Sequence, residues 1–201
     1  MRTLVLILSL LAAPVAAQQF PAIYSVAEDG AADRIPVYAE RDETARQIGS
    51  YPPYAVGIEV LRLAQGGAWA QVGWGEVNGW IRTDRITRDP DLPPGEFPLQ
   101  LVCSGVEPSW RIGLYPGGLE YDSMATGRRD LTALQMRTAE NGFFASFEEG
   151  PTLNRHLTVR RARCTDTMSD RRYGWEGLLF TDAPDGSYVE AGCCTMEQSG
   201  P

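Results

Sequence analysis

Two segments in the second half of the chain carry the side chains best suited to chemistry. The first, CSGVEPSW at 103–110, contributes Glu107 and Trp110. The second, CTDTMSDRRY at 164–173, contributes Asp166, Ser169, Asp170, Arg171 and Tyr173. A guanidinium can hold a carboxylate through two parallel hydrogen bonds, and Trp and Tyr rings supply stacking area. Each segment starts at a cysteine, so bridges from both to one point would bring these groups onto one surface, which predicts a polar ligand-binding site.

A structural role for the same residues is the alternative interpretation. Asp170 would then cap a turn, Glu107 would pair with Arg171 or Arg172, and Trp110 would belong to the core. Catalysis is disfavoured. Paired-carboxylate hydrolysis needs a separation of about 5–10 Å and one raised pKa, and the spacing establishes neither. The sequence therefore predicts no catalytic residues.

Thiol and metal chemistry are disfavoured as well. Thiol catalysis needs a free thiolate beside a histidine. His156 is the only histidine of the chain, and it is expected to face solvent. The zinc-type spacings of Cys and His are absent, so we predict no metal and no cofactor.

The cysteines predict two disulfide bonds. The chain contains Cys103, Cys164, Cys193 and Cys194, an even number, as an oxidising compartment favours. Adjacent cysteines rarely bridge each other, because the small ring distorts the peptide between them. On a strand, Cys193 and Cys194 point to opposite faces, so one is expected to bridge Cys103 and the other Cys164. Both connectivities remain open.

The N-terminal segment and the charge balance indicate where the protein resides. Residues 1–17 combine Arg2, an apolar run and small residues, the layout of a secretory signal peptide. The run is shorter than the roughly 20 residues of a membrane span, so we expect an exported, soluble, periplasmic protein. Eighteen basic residues, all Arg, stand against 26 acidic ones, a balance that disfavours nucleic acid as a partner.

Short strands separated by Gly- and Pro-rich turns predict an all-β fold in two domains. Alternating polarity over 18–88 favours a small five-stranded barrel, with strands at 35–38, 57–63, 69–72 and 79–81. The segment 89–98 contains four prolines and reads as a linker. Seven or eight strands over 99–201 favour a closed antiparallel barrel stapled by the disulfides. A helix within 125–142 is the alternative for that segment.

Two further features suggest binding. Trp74, flanked by Gly73 and Gly75, is expected in an exposed loop and belongs to an aromatic set suited to gripping extended peptides. A locally basic zone is expected to form a solvated strand face, with anionic-ligand binding as the alternative. Its residues are Arg155, Arg160, Arg161, Arg163, Arg171 and Arg172.

Residues 20–88 resemble a bacterial SH3-like domain. The resemblance is carried by IPVYAERD at 35–42, IGSYPPYAVGIEVL at 48–61, GGAWAQV at 66–72 and GWIRTDRI at 79–86. In the place of the usual small-residue pattern of the first strand stand Val37, Tyr38, Ala39 and Glu40. The resemblance implies a module that binds peptide or cell-wall glycopeptide, or that serves as a spacer.

The second domain resembles an uncharacterised family of exported bacterial proteins and lipoproteins. Three motifs occur in the family's order: CSGVEPSW at 103–110, CTDTMSDRRY at 164–173 and GCC at 192–194. The family implies no particular activity. Unlike the lipoproteins, this chain has no cysteine directly after the expected leader.

The expected function is therefore non-catalytic binding in the cell envelope, to a peptidoglycan-derived fragment or a protein. An envelope hydrolase with a carboxylate site and an inhibitor of a wall-degrading enzyme are the alternatives.

Overall fold

A computed structural model of the chain describes residues 19–27, 33–93, 96–98 and 100–196. The signal peptide expected over 1–17 lies outside these residues. Among the described residues, no helix is both long and apolar enough to cross a membrane.

The prediction of an all-β fold is confirmed. In the described residues, fifteen strands form two antiparallel sheets, joined by short turns and two 3-10 turns. The first sheet contains β1 (Ala22–Val26), β2 (Ile35–Tyr38), β3 (Gln47–Tyr51), β4 (Ile58–Ala64), β5 (Trp69–Trp74), β6 (Val77–Arg82) and β7 (Ile86–Arg88). The second contains β8 (Leu101–Gly105), β9 (Trp110–Tyr115), β10 (Gly118–Ser123), β11 (Arg129–Ala139), β12 (Gly142–Glu148), β13 (Asn154–Thr165), β14 (Arg172–Ala183) and β15 (Gly186–Met196).

The first sheet has seven strands rather than the expected five, in the order β3-β2-β6-β5-β4-β1-β7, and is consistent with a small barrel. The expected strands at 35–38, 57–63, 69–72 and 79–81 correspond to β2, β4, β5 and β6, and three more strands complete the sheet. Between β4 and β5 the chain turns through Gly66 and Gly67, whose φ angles of 68° and 96° favour glycine. Alternation along β4 buries Ile58 and Val60 completely in the core.

The second sheet closes into the predicted eight-stranded barrel, in the order β10-β11-β12-β13-β14-β15-β8-β9. The alternative of a helix within 125–142 is wrong, because β11 and β12 pair there as a hairpin. Along β13, Leu157 and Val159 enter the barrel core, whereas His156 lies outside against the rings of Phe144 and Phe180. Period-two alternation therefore sets which residues form the interior.

Both predicted disulfide bonds are confirmed, and the structure decides the connectivity. Cys103 bonds to Cys194, and Cys164 bonds to Cys193. Cys194 lies directly opposite Cys103 on neighbouring strands and both are fully buried, so that bridge belongs to the barrel core. The other bridge links β13 to β15 across the intervening β14.

Candidate functional site between the two sheets

The loop between β13 and β14 holds several residues that the sequence singled out. The Asp166 carboxylate accepts hydrogen bonds from the Ser169 backbone nitrogen at 2.9 Å and from the Met168 backbone nitrogen at 3.1 Å. It also accepts from the Ser169 hydroxyl and, at 3.1 Å, from the Tyr173 hydroxyl. This carboxylate therefore organises the loop that presents Arg171.

The electrostatics of Asp166 fit that structural role. Partial burial raises the pKa of this carboxyl, but the hydrogen bonds from Ser169, Met168 and Tyr173 outweigh it and hold the pKa below its usual range. A carboxylate stabilised in its charged form is a poor proton donor. Asp166 is thus suited to positioning its neighbours.

Glu107 and Trp110 do not join this loop in one site, so the shared surface expected for them is wrong, whereas Asp170 belongs to the loop itself. Strand β8 runs from Leu101, opposite Met196, to Gly105, and the turn carrying Glu107 follows its far end. The loop at 166–171 lies on the Met196 side of the barrel, where β13 pairs with β14. Strand direction therefore separates the two segments. Glu107 and Asp170 are exposed, and Trp110 is 2% exposed in the core.

Arg171 points from the barrel toward the first sheet. Its Nη1 donates to the carbonyl oxygen of Gly75 at 3.2 Å, and its Nη2 donates to the Thr195 hydroxyl at 3.1 Å. The guanidinium also lies 4.7 Å from the centre of the Tyr173 ring. A Cβ at Gly73 would sit 2.6 Å from Nη2, so the missing side chain lets the guanidinium approach the backbone of β5. Arg171 thereby joins the two sheets.

Glu59 makes the complementary contact from the first sheet. Its Oε2 accepts hydrogen bonds from the Thr195 hydroxyl at 2.9 Å and from the Met196 backbone nitrogen at 2.6 Å. Thr195 thus accepts from Arg171 and donates to Glu59 through one oxygen. Glu59 is 7% exposed, and its Oε1 has no hydrogen-bond partner among the described residues.

Burial governs the titration of this cluster. Desolvation raises the pKa of Glu59, opposed by the hydrogen bonds from Met196 and Thr195, by the charge of Arg171 and, least of all, by the Gly174 backbone N–H. Burial likewise raises the pKa of Tyr51, with Arg171 lowering it and Glu59 raising it further. The charge of Arg171 therefore favours the ionised form of both Glu59 and Tyr51.

A second pair of hydrogen bonds fixes the sheets nearby. The Asn78 side chain accepts from the Arg172 backbone nitrogen at 2.7 Å and donates to the Arg172 carbonyl oxygen at 3.1 Å. One amide side chain therefore satisfies both backbone groups of a residue at the start of β14.

Between these contacts lies a cleft of about 670 Å³, called here the inter-sheet cleft. Glu59 and Arg171 line it, and aromatic and apolar side chains form much of its remaining wall. Trp74 lies at the end of β5 rather than in the expected loop, half-buried, with its ring edge-on to Tyr51 at 5.1 Å. The remaining lining residues are Arg34, Ser50, Pro52, Tyr54, Ala55, Val56, Leu61, Gly73, Gly75, Arg172, Tyr173, Thr195 and Met196.

The arrangement suits non-covalent recognition. A mostly apolar concave wall with few fixed polar groups is the usual composition of a ligand site. Glu59 is the single carboxylic acid among the described lining residues, so the paired carboxylates of glycoside hydrolysis are not present in this part of the cleft. Within the described ranges, no three Asp, Glu, His or Cys residues cluster in a way that could hold a metal ion.

Sequence reasoning identified Arg171, Tyr173 and Trp74 of the cleft but missed Glu59, Thr195 and Asn78. Glu59 lies between the core residues Ile58 and Val60, so alternation alone assigns it to the outer face of β4. The barrel covers that face. Glu59 contacts Thr195 and Met196, which lie 136 and 137 positions further along the sequence. No local pattern signals such a contact.

Comparison with known proteins identified no relative: no protein-family model, curated protein or solved structure matches this chain.

Proposed function

We propose that this protein is a non-catalytic binding protein of the cell envelope and that its ligand, a peptidoglycan-derived fragment or a segment of an envelope protein, occupies the inter-sheet cleft. One observation carries the proposal. Glu59 Oε1 and Arg171 Nε are buried without a hydrogen-bond partner among the described residues, and both side chains line the same cleft.

Unpaired buried polar groups favour a ligand that can pair them. Leaving such a group unsatisfied costs about 1–3 kcal/mol, which a bound partner would recover once the side chain turns toward the cleft, because the two atoms themselves expose no surface. An amide supplies both complements, because its N–H can donate to Glu59 and its carbonyl oxygen can accept from Arg171. Peptides and the stem peptides of peptidoglycan carry such amides in series.

The aromatic wall supports a ligand with apolar or ring-shaped parts. Tyr54 is 77% exposed and Val56 is 69% exposed, although both are large apolar side chains at the cleft. Together with Trp74 and Met196 they offer stacking and apolar contact beside the polar pair. Large exposed apolar side chains at a concave site are typical of a binding surface.

The cysteine chemistry supports the compartment. All cysteines in the chain are disulfide-bonded, which fits a protein outside the reducing cytosol. With the leader expected over 1–17, this favours the periplasm.

The experiment measures binding of purified soluble muropeptides, and separately of intact sacculi, to the mature chain. Tyr54→Ala is expected to weaken binding about tenfold, because it removes an exposed ring from the cleft without opening the core. Tyr188→Ala on the barrel wall, where Tyr188 is 46% exposed, is the matched control and should leave affinity unchanged. Failure to retain muropeptides, sacculi or any envelope protein would contradict the proposal.

A hydrolase is the second candidate, favoured by the buried carboxyl of Glu59. A raised pKa favours the protonated form of such a group, which is the form that can donate a proton to a leaving group. Release of soluble fragments from sacculi, abolished by Glu59→Gln, would establish this activity in place of simple binding. If the wild-type chain and Glu59→Gln both bind sacculi and neither releases soluble fragments, the hydrolase activity is excluded.

A further inference from the structure

A second groove adjoins the inter-sheet cleft and has a different chemistry. It encloses about 560 Å³ and is called here the arginine groove. Four arginines line it: Arg62 from the first sheet and Arg161, Arg163 and Arg172 from the barrel. The other described lining residues are Phe20, Pro21, Leu61, Gln71, Ala162, Tyr173 and Gly174, none of which is acidic.

Two of these arginines are held in place by uncharged neighbours. The Arg62 Nε donates to the Gln71 side-chain oxygen at 2.7 Å, and its guanidinium lies 4.9 Å from the centre of the Trp80 ring. Arg161 donates to the Gln19 side chain and lies 5.1 Å from the centre of the Trp175 ring. Amide oxygens and aromatic faces orient a guanidinium without neutralising it. Both charges therefore remain available to a ligand.

The other two arginines are exposed. Arg163 and Arg172 form no ion pair with any carboxylate of the described residues, nor do Arg62 and Arg161. Asp91 acts on Arg161 electrostatically from the linker side but does not line the groove. The groove thus concentrates positive charge in a protein of net charge −8.

The contrast with other arginines shows that this grouping is local. Arg160, next to Arg161, pairs with Glu176, and Arg155 is buried in the barrel beside Glu149. The basic zone expected from the sequence is thereby divided, because Arg160 pairs with Glu176 and Arg155 lies inside the barrel, so neither lines the groove. Arg161, Arg163 and Arg172 face the first sheet, where Arg62 joins them.

We propose that the arginine groove binds a short anionic ligand carrying two or more neighbouring phosphate or carboxylate groups. Guanidinium groups match both anions through paired, charge-assisted hydrogen bonds. The four arginines line one groove without a carboxylate partner there, so a ligand with several anionic groups can contact more than one of them. The ligand is short, because the surplus of acidic residues in the whole protein disfavours a long polyanion beyond the groove.

The groove and the inter-sheet cleft share Leu61, Arg172 and Tyr173. A ligand could therefore engage both, but the inference stands on the four arginines alone. It does not depend on what occupies the cleft, and its test uses no cell-wall material.

The experiment titrates the mature chain with inorganic tripolyphosphate and, separately, with trigalacturonic acid, by calorimetry at low ionic strength. The double variant Arg163→Gln/Arg172→Gln is expected to weaken binding at least about tenfold, since each lost charged hydrogen bond contributes strongly. The affinity of the wild-type chain should also fall as salt is added. Comparing the two probes distinguishes a phosphate-bearing ligand from a carboxylate-bearing one.

Arg137→Gln and Arg46→Gln together form the matched control, because both arginines are exposed, neither lines the groove, and the same charge is removed. Unchanged affinity in this control with loss in the groove variant supports a defined site. Equal loss in both variants would overturn the proposal, as would the absence of binding to both probes by the wild-type chain.

Discussion

The carboxylate of Glu59 accepts a hydrogen bond of 2.6 Å from the backbone nitrogen of Met196, and this contact joins the first sheet to the end of the barrel. The same oxygen accepts from Thr195, whose hydroxyl is itself contacted by Arg171. The polar junction between the sheets is thus also the floor of the proposed binding site. Changes at the junction should affect both stability and recognition.

Glu59→Gln is expected to remove a pH dependence of stability. Burial raises the pKa of Glu59 in the folded state, so the folded protein binds more protons than the unfolded one, whose Glu titrates near pH 4.3. The contribution of Glu59 to the free energy of unfolding is fully present below about pH 4.3 and is lost as pH rises through the pKa of the folded state. Over that range the free energy of unfolding falls by up to about 1.4 kcal/mol per pH unit.

Urea unfolding of both chains between about pH 4 and pH 8 measures this effect. As pH rises, the free energy of unfolding of the wild-type chain should fall relative to that of Glu59→Gln, and the difference between them should then become constant. Glu76→Gln, at an exposed turn position, is the control and should keep the wild-type profile. Parallel curves for wild type and Glu59→Gln would contradict the expectation.

Gly49→Ala is expected to displace Trp74 and reshape the inter-sheet cleft. An added Cβ would lie 2.0 Å from the indole ring, so the ring must shift, which disturbs its edge-on contact with Tyr51. We expect a shifted tryptophan emission, weaker ligand binding and a stability loss of about 1–3 kcal/mol. Gly117→Ala has no heavy atom within 4 Å of the added carbon and should change none of these. An unaltered emission spectrum in Gly49→Ala would count against this packing.

Trp110→Ala and Trp74→Ala are expected to have opposite effects. Trp110 is buried in the barrel core, so its loss should cost about 3–5 kcal/mol while the remaining folded protein keeps its affinity. Trp74 is half-buried at the cleft, so its loss should weaken binding at a smaller cost in stability. Chemical unfolding and muropeptide titration of both variants provide the comparison. If Trp110→Ala folds but loses affinity for muropeptides, Trp110 contributes to the binding site and the expectation is wrong.

The two disulfide bonds are expected to differ in their contribution to stability. They close loops of 91 residues for Cys103–Cys194 and 29 residues for Cys164–Cys193. From loop-closure entropy they stabilise by about 4.5 and about 3.5 kcal/mol, so replacing the first pair by alanine should cost about 1 kcal/mol more. Unfolding of the two double variants measures this difference. Non-reducing peptide mapping checks the connectivity, and free thiols at these positions would contradict it.

The fold could be predicted largely from the sequence because its signals are local. Alternating polarity marked the strands expected at 35–38, 57–63, 69–72 and 79–81, which correspond to β2, β4, β5 and β6. Strand β10 has only one buried position among its six residues, Tyr121, so alternating polarity marks it weakly. The parity and placement of the cysteines predicted two bridges, although not their connectivity.

The candidate site depended on long-range geometry. Arg171 and Tyr173 were identified because their motif is rich in functional groups, whereas Glu107 was wrongly grouped with them because motif order gives no strand direction. Glu59 meets Met196 across 137 positions of sequence, and its isolation from water exists only where the barrel covers β4. Alternation and turn residues act over a few positions, so the sequence determined strands, turns and the number of disulfide bonds. Only the packing of one sheet against the other decided which polar groups are buried together.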